Sequence, residues 1–175
     1  MPEAKRLQLP LDKTEVATLK AGDLVLLSGE LYTARDAAHK RLCEALERQE
    51  KLPFDLRGTT IYYTGPTPPP PGCVLGSAGP TTAYRMDPYV EPLLKAGLFG
   101  MIGKGARKGN TPEIIKRYGA VYFAAPGGCG ALLGKTVVAC EIIAYEDLGT
   151  EAIRRLVVKD FPAFVALDLA GQSIY

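Results

Sequence analysis

The sequence predicts a mixed α/β domain, and two features of its patterning support that prediction. Apolar runs of strand length, such as residues 24–27 and 120–125, are interspersed with amphipathic segments, such as residues 34–49. The notable polar residues come where strands end and helices start, which is where sites in α/β folds usually lie. A length of 175 residues with 47% hydrophobic content suffices for one sizeable core, so a single domain over residues 1–175 is predicted.

The predicted strands and helices follow one another in a mixed order. Ser28 and Gly29 are expected to close the first strand, and Thr111 is the expected N-cap of a helix with Pro112 at its first position. The remaining expectations are helices at 14–20, 88–95, 127–134 and around 151, and strands at 58–64, 98–102, 136–143, 156–158 and 163–167.

Net charge and cysteine spacing exclude several classes of protein. The chain has 21 Lys and Arg against 19 Asp and Glu, a balance that argues against a nucleic-acid partner. No apolar run approaches a membrane span and the N-terminal residues lack a secretory signal, so a cytoplasmic protein with no membrane partner is expected. One histidine and the scattered Cys43, Cys73, Cys129 and Cys140 predict neither a metal site made wholly from this chain nor disulfides.

The run GSAGPTTAYRMD, residues 76–87, is the most informative stretch. Gly76 and Gly79 allow close backbone approach, and Thr81 suits a helix N-cap. A helix that starts near Thr81 would place Arg85 on the same face beside free N–H groups, an arrangement that suits a carboxylate or phosphate. The alternative is a capped helix start whose arginine lies in solvent. A proline-rich segment at 65–80 leads into the run and is interpreted as a rigid loop that carries the site.

The helix predicted over 34–49 carries a second candidate cation. Thr33 and Asp36 have the spacing of a capping box, and Arg35 falls in the first turn, where the helix dipole disfavours a cation unless an anion joins it. The alternative for Arg35 is a solvated side chain. His39 follows on the same face, either as a packing or surface group or as a base.

Lys104 is the third candidate cation, flanked by glycines in GKGARKGN, which lacks the spacing of a P-loop. Three cations that met the hydroxyl of Thr81 in one pocket would suit a small dicarboxylate, because arginine can bind a carboxylate through two N–H groups. Convergence of the four residues is therefore an expectation for the structure to test.

Several motifs together resemble the β subunit of the iron–sulfur hydro-lyases, a family that includes class I fumarases and L(+)-tartrate dehydratases. The similarity covers nearly the whole chain in the same order. It runs through YTARDAAHKR, YYTGPTPPPPG, GSAGPTTAYRMD, GKG, AVYFAAPGGCGALL and VKDFPAFVALDLAG. The resemblance implies a swivelling β/β/α domain, which in some relatives is the C-terminal half of one long polypeptide.

The resemblance also implies a partner and a set of roles. A separate α subunit is expected to hold a [4Fe–4S] cluster on three cysteines, with an (αβ)2 heterotetramer as the expected assembly and no metal held by this chain. By similarity Arg35, Thr81, Arg85 and Lys104 reach the substrate, and Thr81 is the candidate for proton transfer. The implied activity is the reversible hydration of fumarate to L-malate. The alternatives are the β subunit of an L(+)-tartrate dehydratase and a non-catalytic module that binds a dicarboxylate.

Overall fold

The computed structural model describes residues 3–175 and confirms a mixed α/β fold. The strands are β1 Lys5–Leu9, β2 Leu24–Thr33, β3 Thr60–Tyr62, β4 Gly100–Gly103, β5 Val121–Ala124, β6 Val137–Ala144 and β7 Ile153–Leu167. The α-helices are α1 Lys13–Val16, α2 Asp36–Glu47, α3 Asp87–Lys95, α4 Thr111–Arg117 and α5 Gly130–Lys135. Two 3₁₀ helices cover Ala83–Met86 and Glu146–Glu151.

The sheet closes on itself. Its strand order is β1-β2-β3-β4-β5-β7-β6, and β7 also pairs with β2, so that β2, β3, β4, β5 and β7 form a small barrel. Strands β2 to β5 run parallel, whereas β7 is antiparallel to both of its barrel neighbours. The carboxyl ends of β2, β3, β4 and β5 therefore emerge at the same end of the barrel.

The parallel strands are buried on both faces. Tyr62 and Ile102 belong to one hydrophobic cluster, which also contains residues of β2, β5 and β7. Their neighbours Ile61 and Met101 point the other way, into a second cluster formed with helices α2, α3 and α4. Burial on both faces explains why these segments have nearly continuous apolar sequences rather than an alternating pattern.

Strand β7 corrects two sequence predictions. The segments 156–158 and 163–167 are parts of one strand, which continues through Asp160 at a φ of 53° because the backbone N–H of Asp160 is anchored by the Ser28 hydroxyl at 2.9 Å. Gly29 does not end β2. It lies where the pairing with β7 shifts register, and a Cβ there would come within 2.5 Å of the Leu9 carbonyl oxygen.

Other boundaries also differ from the predictions. Strand β1 was not predicted, and the helix expected over 14–20 covers only Lys13–Val16. Helix α4 has Asn110 rather than Thr111 at its N-cap position, and Asn110 makes no capping hydrogen bond. The predicted helices and strands near 34–49, 58–64, 88–95, 98–102, 120–125 and 136–143 are confirmed with small shifts of their ends.

The capping box predicted for α2 is wrong. The helix begins at Asp36, and Arg35 occupies the N-cap position without a side-chain capping bond. Thr33 is instead the last residue of β2, where its hydroxyl accepts the N–H of Arg154 at 3.0 Å and lies 3.4 Å from the carbonyl of Ala152. The Thr33 hydroxyl therefore bonds to the backbone at the start of β7 instead of capping α2. From residue 3 onward, the helices are too short or too polar to cross a bilayer.

Candidate active site

The four predicted site residues lie at the end of the barrel where the parallel strands terminate. Arg35 follows β2 directly after Ala34, and Lys104 is the first residue after β4. Thr81 and Arg85 belong to the segment between β3 and β4 in sequence. This placement is the usual location of sites in α/β folds, at the carboxyl ends of the strands.

Thr81 is held between the ends of β3 and β4 by backbone hydrogen bonds. Its N–H donates to the carbonyl of Tyr63 at 2.7 Å, and its own carbonyl accepts the N–H of Lys104 at 3.2 Å. Thr82 pairs with Lys104 as a parallel bridge, and the N–H of Ala83 donates to the Lys104 carbonyl at 2.8 Å. Thr81 and Lys104 are thus fixed side by side.

These bonds correct the prediction of a helix that starts near Thr81. The first helical segment is the 3₁₀ helix Ala83–Met86, and Thr82 precedes it without a capping hydrogen bond. Thr81 and Arg85 therefore do not share one helix face. The N–H groups of Thr81 and Ala83, which were expected to be free for an anion, donate to strand-end carbonyls instead.

Arg85 and Arg35 both lie beside the carboxylate of Asp36. The Nε and Nη2 of Arg85 donate to Asp36 Oδ1 and Oδ2 at 3.1 and 3.0 Å. The Nε of Arg35 lies 3.9 Å from Asp36 Oδ2 and 3.9 Å from Glu151 Oε1. The structure therefore brings both predicted arginines together, but with two carboxylates among them that the sequence interpretation did not assign to the site.

The start of the proline-rich loop is shaped to the side chain of Arg35. A Cβ at Gly65 would lie 3.1 Å from both Cδ and Nη1 of Arg35 and 3.2 Å from the Thr150 carbonyl oxygen. The loop is then closed by its own hydrogen bonds, because the N–H of Thr67 donates to the Ser77 carbonyl at 2.9 Å and Thr67 Oγ1 accepts the N–H of Ser77 at 2.8 Å. These contacts agree with a rigid loop.

The far end of the loop packs backbone to backbone on α5. The N–H of Ala78 donates to the carbonyl of Gly130 at 2.9 Å, and a Cβ at Gly134 would come within 2.1 Å of the Gly76 carbonyl oxygen. The predicted contact between small residues and backbone is confirmed. The loop after β5 also reaches the site, since a Cβ at Gly127 would lie 3.7 Å from Cδ of Lys104.

The site is open on one side. Arg85 and Lys104 are exposed, whereas Arg35, Asp36 and Thr81 are half-buried. Mixed exposure of this kind leaves the charged ends of Arg85 and Lys104 within reach of a ligand or of another protein surface.

His39 is fully buried beneath the site, which favours the packing interpretation. Its Nδ1 lies 2.9 Å from the carbonyl oxygen of Arg35, and its ring meets the ring of Tyr63 edge-on at 5.2 Å. Burial lowers the pKa of His39 from 6.5 to about 4, so the imidazole is neutral at pH 7. His39 supports the backbone of Arg35 rather than facing a ligand.

The donor set of the described chain does not fit an iron–sulfur cluster. Within residues 3–175 no three His, Cys, Asp or Glu side chains are close enough to hold a metal ion. Cys43 is buried in α2, Cys73 is exposed in the proline-rich loop, and Cys129 and Cys140 lie elsewhere at intermediate depth. A cluster would need ligands from outside this part of the chain.

Comparison with known proteins decides the family. The model of the family described as "Fumarase C-terminus" matches residues 2–175. The chain belongs to this family. The resemblance drawn from the sequence motifs is therefore confirmed, and the four predicted site residues can be considered in the context of hydro-lyase relatives.

Individual relatives have names of two kinds. A Methanocaldococcus jannaschii protein named "Putative L(+)-tartrate dehydratase subunit beta" is 43% identical over 171 residues, which are 94% of this chain and 88% of that protein. "Fumarate hydratase 2" of Leishmania major is 36% identical over 173 residues, 97% of this chain but 30% of the relative. "Fumarate hydratase class I, aerobic" of Salmonella typhimurium is 39% identical over 151 residues, 85% of this chain and 26% of the relative. The chain thus spans less than a third of the two fumarate hydratases.

Proposed function

We propose that this chain is the β subunit of a class I fumarate hydratase that interconverts fumarate and L-malate with a second subunit. The observation that supports this best is the meeting of Arg35, Thr81, Arg85 and Lys104 at one end of the barrel, in a chain of the fumarase C-terminal family. Cations placed where a dicarboxylate would lie can stabilise the charge that develops next to the carbon that loses or gains a proton.

The ion pairs of the site suit carboxylate binding by exchange. Asp36 already occupies Nε and Nη2 of Arg85 in the geometry that a substrate carboxylate would use. A substrate carboxylate can bind the remaining N–H groups of Arg85 or displace Asp36. Arg35 lies 3.9 Å from the same carboxylate, and the exposed Lys104 adds a cation at this end of the barrel. Asp36 therefore orients the guanidinium of Arg85 and offsets part of the positive charge of the three cations.

Thr81 is the proposed proton-transfer group. Its backbone is fixed on both sides, by Tyr63 and by the backbone of Lys104, so its side chain has a defined origin. A threonine hydroxyl is a weak base by itself, and a neighbouring cation or an acid from the partner is needed to make it effective. The fixed backbone of Thr81, paired with the backbone of Lys104, is the feature of this chain that supports the role.

A partner subunit completes the proposal. The site is open, the described residues offer no cluster ligands, and one relative is named as a subunit beta. We propose that an α subunit covers the site and holds the [4Fe–4S] cluster, in an (αβ)2 heterotetramer. The swivelling β/β/α character of the domain belongs to the same proposal, as a rigid barrel that can turn relative to its partner. A cytoplasmic location stays a prediction.

The proposal can be tested by tagging the chain in its native organism and purifying it under anaerobic conditions. We expect it to bring down a brown, cysteine-bearing larger subunit, and we expect the complex to hydrate fumarate. A colourless monomer that binds malate tightly without any partner would instead support a non-catalytic dicarboxylate-binding module.

L(+)-tartrate dehydratase is the second candidate, because the relative with 43% identity carries that name. Both reactions remove water from a 2-hydroxy dicarboxylate, so the four site residues serve either one. The complex should be assayed with L-malate and with L(+)-tartrate, and the larger kcat/KM identifies the substrate. A preference for tartrate would overturn the assignment to fumarate and leave the hydro-lyase class intact.

A further inference from the structure

A buried arginine that has no part in the proposed chemistry lies directly behind the site. The side chain of Arg107 is only 2% exposed, and its Nε lies 2.8 Å from Oδ1 of Asp87, whose side chain is 12% exposed. The Nη1 of Arg107 donates to the hydroxyl of Tyr63 at 3.1 Å. A charged group this deep is unusual and needs a specific reason.

Two tyrosine rings enclose the guanidinium. Its central carbon lies 5.3 Å from the ring centre of Tyr63 and 5.0 Å from that of Tyr122, within the range of cation–π attraction. The hydroxyl of Tyr122 donates to the carbonyl of Gly105 at 2.7 Å. The cluster of Tyr63, Asp87, Arg107 and Tyr122 therefore joins the end of β3, the first half of β5 and the start of α3 to the loop after β4.

Each contact of Arg107 leads to a different site residue by a short covalent or hydrogen-bonded step. Tyr63, which accepts from Arg107, also receives the N–H of Thr81 on its carbonyl. Asp87 comes two residues after Arg85. Oδ2 of Asp87 also accepts the N–H of Lys108 at 2.8 Å, and this bond holds the loop after Lys104 against the start of α3.

The pair is poorly explained by stability alone. A buried ion pair can often be replaced by apolar residues of similar volume without loss of stability, because desolvation offsets the attraction between the charges. Among residues 3–175 the buried Nε and Nη2 of Arg107 and Oδ1 of Asp87 make no hydrogen bond, so charge attraction at 2.8 Å, and not a directed hydrogen bond, joins Arg107 to Asp87. What an apolar replacement would lack is the attraction to Asp87 and the hydrogen bond to the hydroxyl of Tyr63, which together hold three separate segments against one another.

We propose that Arg107 is a positioning residue that fixes Thr81, Arg85 and Lys104 relative to one another. It touches no position that a substrate would occupy and acts through Tyr63, Asp87 and the loop after β4. The inference rests on the proposed function for its effect on catalysis, but its effect on the backbone of the site can be measured without any turnover.

The first experiment compares Arg107→Lys with Arg117→Lys in the complex with the partner subunit. Arg117, the last residue of α4, is the control, because its ion pair with Glu91 of α3 is exposed and includes none of the predicted site residues. We expect Arg107→Lys to lower kcat at least tenfold with KM changed less than threefold, since the charge remains while the hydrogen bond from Nη1 to Tyr63 and the planar contact with the two tyrosine rings are lost. Arg117→Lys should leave both constants unchanged. Equal behaviour of the two variants would overturn the proposal.

The second experiment separates positioning from stability. In the double variant Arg107→Met/Asp87→Asn both charges are removed while the amide oxygen can still accept the N–H of Lys108, so we expect the midpoint of urea unfolding to lie closer to the wild-type value than that of Arg107→Met alone. The kcat of the double variant should nevertheless stay at least tenfold low. If kcat recovers together with the unfolding midpoint, Arg107 has only a structural role.

Hydrogen exchange of backbone amides provides the readout that is independent of activity. In the full chain carrying Arg107→Lys, the N–H groups of Thr81, Ala83 and Lys104 should exchange at least tenfold faster, because their strand-end acceptors are held less firmly. The N–H of Val165, which donates to the Asp23 carbonyl at 2.9 Å on the far side of the barrel, is the control and should not change. Unchanged exchange at all four amides would refute the positioning role. A wild-type complex without hydratase activity would refute the proposed function alone.

Discussion

Arg85 and Asp36, 49 positions apart in the chain, form a two-point ion pair that joins the two motifs richest in functional candidates. The pair places the start of α2 against the 3₁₀ helix before α3. Arg35 approaches the same carboxylate from the other side at 3.9 Å. Under the proposed function, Asp36 would either share its arginine partners with the substrate carboxylates or be displaced by them.

The ion pair predicts the behaviour of Arg85→Lys. Lysine keeps the charge but cannot bind a carboxylate through two parallel N–H groups, so we expect kcat/KM of the complex to fall at least tenfold. Stability should change by less than about 1 kcal/mol, because both side chains of the pair are partly exposed.

Steady-state kinetics and urea unfolding of the variant measure these two effects. Arg41→Lys is the matched control, because Arg41 forms a similar two-point pair with Asp147, which is 65% exposed. Wild-type kinetics for Arg85→Lys would mean that the substrate carboxylates bind elsewhere.

The location of the site could be predicted from the sequence, whereas its internal geometry could not. The sequence places Arg35 at the start of a helix and Lys104 in the loop after a strand, and in α/β folds such positions meet at the carboxyl ends of the strands. The actual setting of Thr81 depends on the ends of β3 and β4, which lie far from it in sequence. Local capping patterns favoured a helix start because they contain no information on such long-range pairing.

Closure of the barrel was not predictable for a related reason. Polar and helix-breaking residues around Asp160 and Pro162 interrupt the apolar pattern, so β7 appeared as two strands. The bulge at Ser28 and Asp160 lets one strand continue, so that β7 pairs with β2 from Leu24 to Tyr32. The roles of Asp36 and Arg107 were missed because each becomes apparent only with its spatial partner.

The backbone contact between α5 and the proline-rich loop predicts a strong effect of Gly134→Ala. The added Cβ would lie 2.1 Å from the carbonyl oxygen of Gly76, and two backbone segments cannot separate without moving the loop. We expect a loss of about 2 kcal/mol or more in the free energy of unfolding, measured with urea.

Leu132 supplies the control on the same helix, because its side chain is 64% exposed. Leu132→Ala should change the free energy of unfolding by less than about 0.5 kcal/mol. Equal stability of Gly134→Ala and the wild type would show that the loop is not held by this contact.

Burial of His39 predicts a pH dependence of stability. The folded-state pKa is lowered from 6.5 to about 4, mainly by burial and further by the nearby charge of Arg107, while Asp36 acts in the opposite direction. As the pH falls below 6.5, the unfolded chain binds a proton on the imidazole, whereas the folded chain binds it only near pH 4. The free energy of unfolding is therefore highest above pH 6.5, and the His39 effect lowers it by about 3 kcal/mol in all as the pH falls to about 4.

Urea unfolding between pH 5 and pH 7 isolates this effect, because His39 is the only histidine in the chain. His39→Gln should have a flatter profile over that range, since glutamine does not titrate. The NMR signals of the imidazole ring give a direct check in the unmutated protein. A His39 ring that titrates near 6.5 would contradict the buried, neutral state.

The final prediction concerns the hydroxyl of Thr81, whose role the structure makes easier to test. Thr81 is not a helix cap, and its backbone bonds to Tyr63 and Lys104 remain when the side chain is shortened. Thr81→Ala in the cluster-loaded complex should therefore lose roughly 100-fold or more in kcat with little change in stability. Thr81→Ser should retain most of the activity. Thr82→Ala is the neighbouring control and should be close to wild type in both respects, because Thr82 makes no capping bond. If Thr81→Ala kept more than about a third of the wild-type kcat, the hydroxyl would have no part in proton transfer.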